Sequence, residues 1–441
     1  MSFPVMPLAP LEAARQFVKR ISKPSTILVA ISGGSDSTGL LLALHRVLQQ
    51  TGRADISLQA VTIDHALRPG SADEARGVAA LCNELDVPHH SRRWDDQKPV
   101  SGISAAARLA RYALIAEIAD DIGADMIVVG HTLGDQQETI AMRGARSQRP
   151  DNLGLAGMAD AVLYGGRHWI MRPFLNTLRE DIRDFLRAEG RGWYDDPSNV
   201  DTKYERVRTR NLLEPAAGLL IDQSINRASV SAAAAQWVDT YAQFYSDCLI
   251  EIRAEGLSAQ TPALRGALSA LACVMGGRRF AMAADSMDKI MDFVTSGQPG
   301  RATAGRVVFD RRKGGLYLMR EIRNIAPVTI AAAKTALWDE RFEITNIGDH
   351  ELHVVPLGMG SMANILAPFP ASIPEGVAKR AAQSLPTTGQ AGEERALTSA
   401  DGVMIRHVAA PYDLFLPRFD LPLADAIVRL LGRSPYPQPP V

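Results

Sequence analysis

Thr26-Ile27-Leu28-Val29-Ala30-Ile31-Ser32-Gly33-Gly34-Ser35-Asp36-Ser37 is the stretch on which the reading of this chain turns. Its first six residues form a near-continuous apolar run, as expected of a central strand buried on both faces. From Ser37 to Gln50 the spacing of Leu40, Leu41, Leu44 and Val47 predicts a helix. Between them lies a short polar loop. Gly33 and Gly34 let the backbone turn tightly and approach a ligand. The successive amides, with the N-terminus of the following helix, make an anion cradle, and Ser32, Ser35 and Ser37 add hydroxyl donors. Asp36 is the discordant member, because a carboxylate repels phosphate unless a cation lies between them. A Mg²⁺ ion bridging Asp36 and pyrophosphate oxygens removes the conflict. No Lys-Ser or Lys-Thr ends the loop, so it is not of the kinase or GTPase type.

Outward from this loop, short β-branched runs alternate with helical periodicity. Strands are expected at Leu58 to Asp64, His90 to Trp94, Asp125 to Gly130 and His168 to Phe174. Helices are expected at Ser71 to Asp86, at Ile103 to Ile122, from about Asp135, and at Leu178 to Ala188. This is the pattern of a parallel α/β sheet. Beyond Leu213 the character changes. Ala216 to Ile252 reads as helix, and helical character continues to about Ala284. Val307 to Met319 reads as a strand pair turned at Lys313-Gly314-Gly315. Short strands are expected at Glu351 to Val355 and Val403 to His407, and a loose tail at Pro435 to Val441. The expected division is residues 1–215, a mainly helical 216–326, and a small mixed 327–441.

The 441 residues suffice for about three domains. With 46% apolar and 22% charged residues, the chain is neither disordered nor collagen-like. Its net charge of -1 means that a nucleic-acid partner must be met by a local basic face. Cys82, Cys248 and Cys273 are far apart, which excludes a CxxC pair, a four-Cys zinc site and a disulfide framework, and suits a reducing cytoplasm. No run is apolar enough for a membrane helix, and Met1 to Arg20 does not read as a signal peptide.

Ser32 to Ser37 resembles the PP-loop of the ATP pyrophosphatases, a family that cleaves ATP between its α and β phosphates and transfers AMP to an oxygen. Further segments narrow the resemblance: Val61 to Arg68, Ala107 to Tyr112, His131 to Thr139, Arg172 to Leu175, and Asp195 to Asn199 leading to Tyr204, Arg206, Arg208, Arg210 and Asn211. Over Ser25 to Pro215, their order and spacing resemble the tRNA(Ile)-lysidine synthetase family. The resemblance implies an adenine nucleotide α-hydrolase-like, Rossmann-like sheet domain. It also implies a reaction: ATP adenylates the carbon-2 oxygen of the wobble cytidine in a CAU anticodon, the ε-amine of free L-lysine attacks that carbon, and AMP leaves. It further implies Mg²⁺, tRNA(Ile) and lysine as partners, and often a homodimer.

Ligands of open parallel sheets bind beyond the carboxyl ends of the strands. Ser32, Gly33, Gly34, Ser35, Asp36, Ser37, Asp64, His65 and His131 are therefore the ATP-binding candidates. Asp36 and Asp135 are the metal candidates. Asp135 and Glu138, three apart at a helix start, share a face; one serves the metal and the other lysine, and the assignment can be exchanged. Arg108 and Arg111 are assigned to the α-phosphate and to charge developing as pyrophosphate departs. Arg172, Arg206, Arg208 and Arg210 are tRNA candidates, with Arg311 and Arg312 in a second basic cluster.

Three departures from the family stand out. Gly134 occupies a position that is usually acidic, Arg143 to Pro150 replaces an Arg-Gly-Ser/Thr-Gly turn, and the C-terminal hundred residues match no pattern of the family. One rival is a tRNA thiolation enzyme, which typically carries paired cysteines that this chain lacks. A rival of another class is a tRNA-binding protein without catalysis. Gly134 favours it; the intact Ser32 to Ser37 loop, Asp135 and Glu138 oppose it.

Overall fold

The computed structural model describes residues 6–65, 71–147, 149, 152–195, 208–209, 220–358, 369–388, 396–398 and 401–441. The chain forms two compact units, Met1–Arg227 with Pro437–Val441, and Ala228–Tyr436. Among the described residues no helix is long and apolar enough to cross a membrane.

The first unit opens with helix α1 (Pro10–Arg20) and continues through β1 (Ser25–Ala30), α2 (Ser35–Thr51), β2 (Ile56–Asp64), α3 (Ser71–Glu84), β3 (His89–Arg93), α4 (Ile103–Asp121), β4 (Met126–Val129), α5 (Leu133–Arg146), β5 (Ala161–Tyr164), β6 (His168–Met171) and α6 (Arg179–Ala188). Within the unit the strands run in the order β5-β6-β4-β1-β2-β3. All neighbours are parallel except β5 and β6. Strand β1 is central, with Val29 opposite both Ala60 and Val128. Ile27, Leu28 and Val29 are wholly buried, as the apolar run required. Burial of each contributes about 1.5–3 kcal/mol.

The hairpin β5–β6 was not announced by the sequence pattern, which placed a single strand at His168 to Phe174. Gly165 and Gly166 turn it, both at positive φ, the backbone a tight hairpin needs. The strand itself ends at Met171, and Arg172 to Phe174 form a turn instead.

Two glycines fix the packing around the loop. A Cβ at Gly39 of α2 would lie 2.3 Å from Ile182 Cγ2, so α2 and α6 approach through that gap. A Cβ at Gly130, just past β4, would lie 2.9 Å from the backbone carbon and oxygen of Asp36.

Of the helical reading of Ala216 to Ile252, residues 216–219 lie outside the described residues, and the described part is helix only as far as Tyr241. The helix Leu220–Tyr241 gives way to β7 (Ala242–Tyr245) and β8 (Leu249–Arg253), turned at Ser246 and Asp247 with φ of 48° and 59°. With β9 (Gly300–Ala304), β10 (Val307–Arg312) and β11 (Gly315–Arg320) these form an antiparallel sheet, order β7-β8-β11-β10-β9. The β10–β11 hairpin turns at Lys313 and Gly314, where the sequence placed it. One hydrophobic core joins Leu249, Tyr317 and Met319 to Trp338, Phe342, Val354, Val377 and Val403. Beside it the buried Asp339 accepts from Arg306, from Arg320 at 2.9 and 3.0 Å, and from Arg341 at 2.6 Å. The tail is not loose: Pro437's carbonyl accepts from Trp169 Nε1 at 3.0 Å.

Candidate nucleotide site

Strand β1 ends at Ala30 and α2 begins at Ser35, so the loop between them is short. Gly33 has φ of 83°, a left-handed backbone that favours glycine. Ser37 organises the turn. Its Oγ accepts from the Ser32 amide at 3.1 Å, lies 3.2 Å from Ser32 Oγ, and donates to the Gly34 carbonyl at 3.2 Å. The N-cap residue of α2 is Gly34, which has no side chain to cap the helix, so that end is suited to an anion. The amide of Tyr194 donates to the Gly33 carbonyl at 2.9 Å, and the Tyr194 ring lies over Gly33 and Gly77. Beside the loop is a cavity of about 410 Å³, lined by Gly33, Thr38, Val78, Leu81, Trp193 and Tyr194.

Asp36 follows on the first turn of α2. Ser35 Oγ donates to its Oδ1 at 3.0 Å. Arg179, the first residue of α6, holds it as well. Arg179 Nε lies 2.9 Å from Oδ2 and 3.2 Å from Oδ1, with Nη2 2.8 Å from Oδ2. The same Nη2 stands 3.8 Å from Asp135 Oδ2. Asp135 closes a capping box at the start of α5, accepting from the Thr132 amide at 2.9 Å and from Thr132 Oγ1 at 3.0 Å. Burial pushes the Asp135 carboxyl up, but His131, the Thr132 donors and Arg179 outweigh it and hold it below its usual range. For Arg179, burial opposes the charge; Asp36, Asp135 and Glu138 offset it and raise the guanidinium above its ordinary value. Glu138 is only 1% exposed.

At the ends of β4 and β6, Arg172 Nε donates to His131 Nδ1 at 3.1 Å, and Arg172 Nη1 donates to the Ala159 carbonyl at 2.6 Å. Arg172 is buried, which lowers its pKa. At the end of β2, His65 Nε2 accepts from Arg111 Nε at 3.1 Å. Desolvation first, and then the Arg111 charge, push His65 down to about 4, so the ring is neutral at pH 7. Arg108 stacks over Tyr112, 5.0 Å from its centroid. Asp64 ends β2, in register with Arg93.

The structure thus brings Asp36, Asp135 and Arg179 together, and separately pairs Arg172 with His131 and Arg111 with His65. Arg179 was absent from the sequence reading. Its signal, an arginine opening an amphipathic helix, is shared by many surface helices. Among the expected tRNA contacts, Arg208 is exposed, while Arg206 and Arg210 lie outside the described residues. Arg311 is buried and donates to the Gly315 carbonyl at 3.0 Å; Arg312 pairs with the buried Asp310 at 2.6 Å. Both are engaged within their own hairpin. His89 and His90 bond to Thr62 and Gln59, a structural use.

Among the described residues no group of three or more His, Cys, Asp or Glu could alone hold a metal. Asp36 and Asp135 would offer a Mg²⁺ ion two hard oxygen ligands, and the ion would complete its shell with phosphate oxygens and water, its usual habit. The three cysteines are free and buried, and burial pushes Cys82 and Cys273 up to about 11 and Cys248 up as well, the reverse of a reactive thiolate.

A family description, PP-loop domain, matches residues 10–217. A tRNA(Ile)-lysidine synthase of Rhizobium meliloti (strain 1021) is 42% identical, covering 99% of this chain and 98% of its own. One of Mesorhizobium japonicum is 40% identical with 94% of each covered, and one of Brucella canis is 34% identical with 97% and 99% covered. A solved structure, the U34-tRNA thiolase NcsA from Methanococcus maripaludis with its 4Fe-4S cluster, is similar over 46% of this chain and 70% of that one. Its identity is 12% and its TM-score 0.39, too slight a likeness to carry weight. Likeness over nearly the whole length, together with the PP-loop at the end of β1, places this chain in the tRNA(Ile)-lysidine synthase family.

Proposed function

We propose that this chain is a ligase that joins the ε-amine of free lysine to carbon 2 of the wobble cytidine of a CAU-anticodon tRNA(Ile), converting ATP to AMP and pyrophosphate. The observation that supports it best is the cluster of Asp36, Asp135 and Arg179 at the first turns of α2, α5 and α6.

In this reading the loop amides and the hydroxyls of Ser32, Ser35 and Ser37 hold the phosphates of ATP. Asp36 and Asp135 hold Mg²⁺, which when bound offsets the charge that builds on departing pyrophosphate. Arg108 and Arg111 act on the α-phosphate, and neutral His65 keeps Arg111 aimed. Asp64 and His131 line the nucleotide site at the strand ends, with Arg172 fixing the His131 ring. Glu138 accepts the lysine ammonium and later its proton, which leaves the amine free to attack. Arg206, Arg208 and Arg210 track the tRNA backbone, and residues 216–326 and 327–441, with Arg311 and Arg312, serve the rest of the tRNA. A homodimer working in the cytoplasm, the habit of the family, completes the reading.

The test is incorporation of radiolabelled lysine into a CAU-anticodon tRNA(Ile) transcript with ATP and Mg²⁺. Label is expected to require ATP, the wobble cytidine and Asp36, with a wobble-uridine transcript and Asp36→Ala protein as the blanks. A tRNA that binds but takes up no lysine would replace this reading with that of a non-catalytic binder.

A further inference from the structure

Arg179 lies between two of the segments that carry the family resemblance, Arg172 to Leu175 and Asp195 to Asn199. Its guanidinium fills the space between the two carboxylates that the proposed reading gives to the metal: 2.8 Å from Asp36 Oδ2 and 3.8 Å from Asp135 Oδ2. The side chains are 28%, 20% and 13% exposed for Arg179, Asp36 and Asp135, so water screens this contact only in part.

Local satisfaction alone does not explain Arg179 beside Asp135. Asp135 Oδ2 already accepts two bonds from Thr132, and Asp36 Oδ1 accepts one from Ser35. Arg179 is also poorly placed for its own helix. A cation at the first residue of α6 faces the positive end of the helix dipole. Its position is explained by the two carboxylates, and two cations cannot share the gap between them without strong repulsion.

We propose that Arg179 is a placeholder cation. In the nucleotide-free protein it neutralises Asp36 and Asp135. When the metal nucleotide arrives it leaves them and its planar fork binds oxygens of the β- and γ-phosphates, the anion that arrives with the metal. The inference rests on the metal assignment in the proposed function. It adds a phosphate-binding residue, and a reason for the nucleotide-free protein to refuse free metal.

The experiment is Mn²⁺ binding by electron paramagnetic resonance on the full-length protein without nucleotide, for wild type, Arg179→Gln, Arg179→Lys, Asp36→Asn and an Arg179→Gln, Asp36→Asn double variant. Arg179→Gln is expected to bind free Mn²⁺ at least about tenfold more tightly than wild type, because a competing charge a few ångströms away has gone. Arg179→Lys, which keeps the charge but not the fork, is expected to stay near wild type in that measurement. In calorimetry with Mg²⁺ present, both variants are expected to bind pyrophosphate more weakly, by about tenfold for Arg179→Gln. Equal or weaker Mn²⁺ binding by Arg179→Gln, with Asp36→Asn binding none, would overturn the placeholder role and leave the metal site standing. Mn²⁺ binding by the Arg179→Gln, Asp36→Asn double variant as tight as by Arg179→Gln would instead remove the metal assignment, and this inference with it. Should Arg179→Gln not fold, weakened pyrophosphate binding by Arg179→Lys supports the proposal, and unchanged binding overturns it.

Discussion

Arg179 grips both carboxylate oxygens of Asp36, from 2.9 and 3.2 Å, across 143 residues of chain. The ion pair ties the start of α6 to the nucleotide loop, so Asp36 has a structural partner as well as its proposed chemical task. Asp36→Asn keeps an acceptor for Arg179 and loses only the charge. It is expected to reduce lysine transfer by about 10²–10³-fold, the scale of a lost electrostatic stabiliser. The stability cost is expected to be about 1 kcal/mol, because the pair is partly hydrated. Transfer rates and a urea unfolding curve on the same preparation check both numbers. A large stability loss with intact transfer would reverse the assignment.

His65 sets a pH dependence. Its folded value is about 4 against 6.5 for the free side chain. Above pH 6.5 the folded and unfolded chains both hold it neutral, and its contribution is complete. As pH falls from 6.5 towards 4 the unfolded chain takes up a proton that the folded one refuses, and stability is lost. His65→Gln does not titrate. The stability gap between wild type and this variant is therefore expected to be widest at pH 7.5 and to shrink by pH 4.5. A gap that is constant over that range would count against a neutral, desolvated ring.

Gly39 and Gly130 should fail differently. At Gly39 an added methyl meets the Ile182 side chain, and Gly39→Ala is expected to destabilise the first unit by about 1–3 kcal/mol. Ile182→Ala in the same chain should restore part of that loss, which a double-mutant cycle would read directly. At Gly130 the methyl meets the backbone of Asp36, which cannot step aside as a side chain can. Gly130→Ala is expected to lower ATP affinity out of proportion to its effect on the melting temperature.

Gly134 has open space around it. Among the described residues, a Cβ there would have only Thr132 Oγ1 within 4 Å, at 3.7 Å. Gly134→Ala is expected to stabilise the start of α5 by up to about 1 kcal/mol, the usual helix preference of alanine over glycine. Gly134→Glu is expected to fold as wild type does, so the missing acidic group can be restored without strain. A lowered melting temperature in the alanine variant would show that the glycine is there for its backbone.

Salt dependence separates the two sets of arginines. Arg208 is exposed, and Arg208→Ala is expected to weaken tRNA binding and reduce the salt slope by about 1. Arg312 is committed to Asp310, which also pairs with Arg380 at 3.0 Å. Arg312→Ala is expected to move the slope less than Arg208→Ala does. Binding of a tRNA(Ile) transcript over a salt series decides.

The first unit was largely legible because buried parallel strands advertise themselves. Thr26 to Ile31 and Asp125 to Gly130 are short apolar runs that end in glycine or a polar turn. The β5–β6 hairpin escaped because Ala161 to Tyr164 is four residues long and sits in a loop-like stretch. The turn at Ser246 and Asp247 escaped because neither residue is glycine, although both adopt positive φ, and the alanine-rich helix before it carries its periodicity up to the break. In the site, Asp36, Asp135 and Glu138 stood in recognisable wording. Arg179 did not, because its meaning depends on a partner 143 residues away.

Gly130 lies against the peptide between Asp36 and Ser37, so the end of β4 and the shape of the nucleotide loop are one geometric variable. A lineage, or an engineer, seeking to admit a bulkier triphosphate cannot widen the loop by editing Ser32 to Ser37 alone. The sheet beneath would have to be re-spaced at the same time, a coordinated change that single substitutions do not reach. Substrate novelty in this scaffold is therefore easier to gain at its rim than at its phosphate grip.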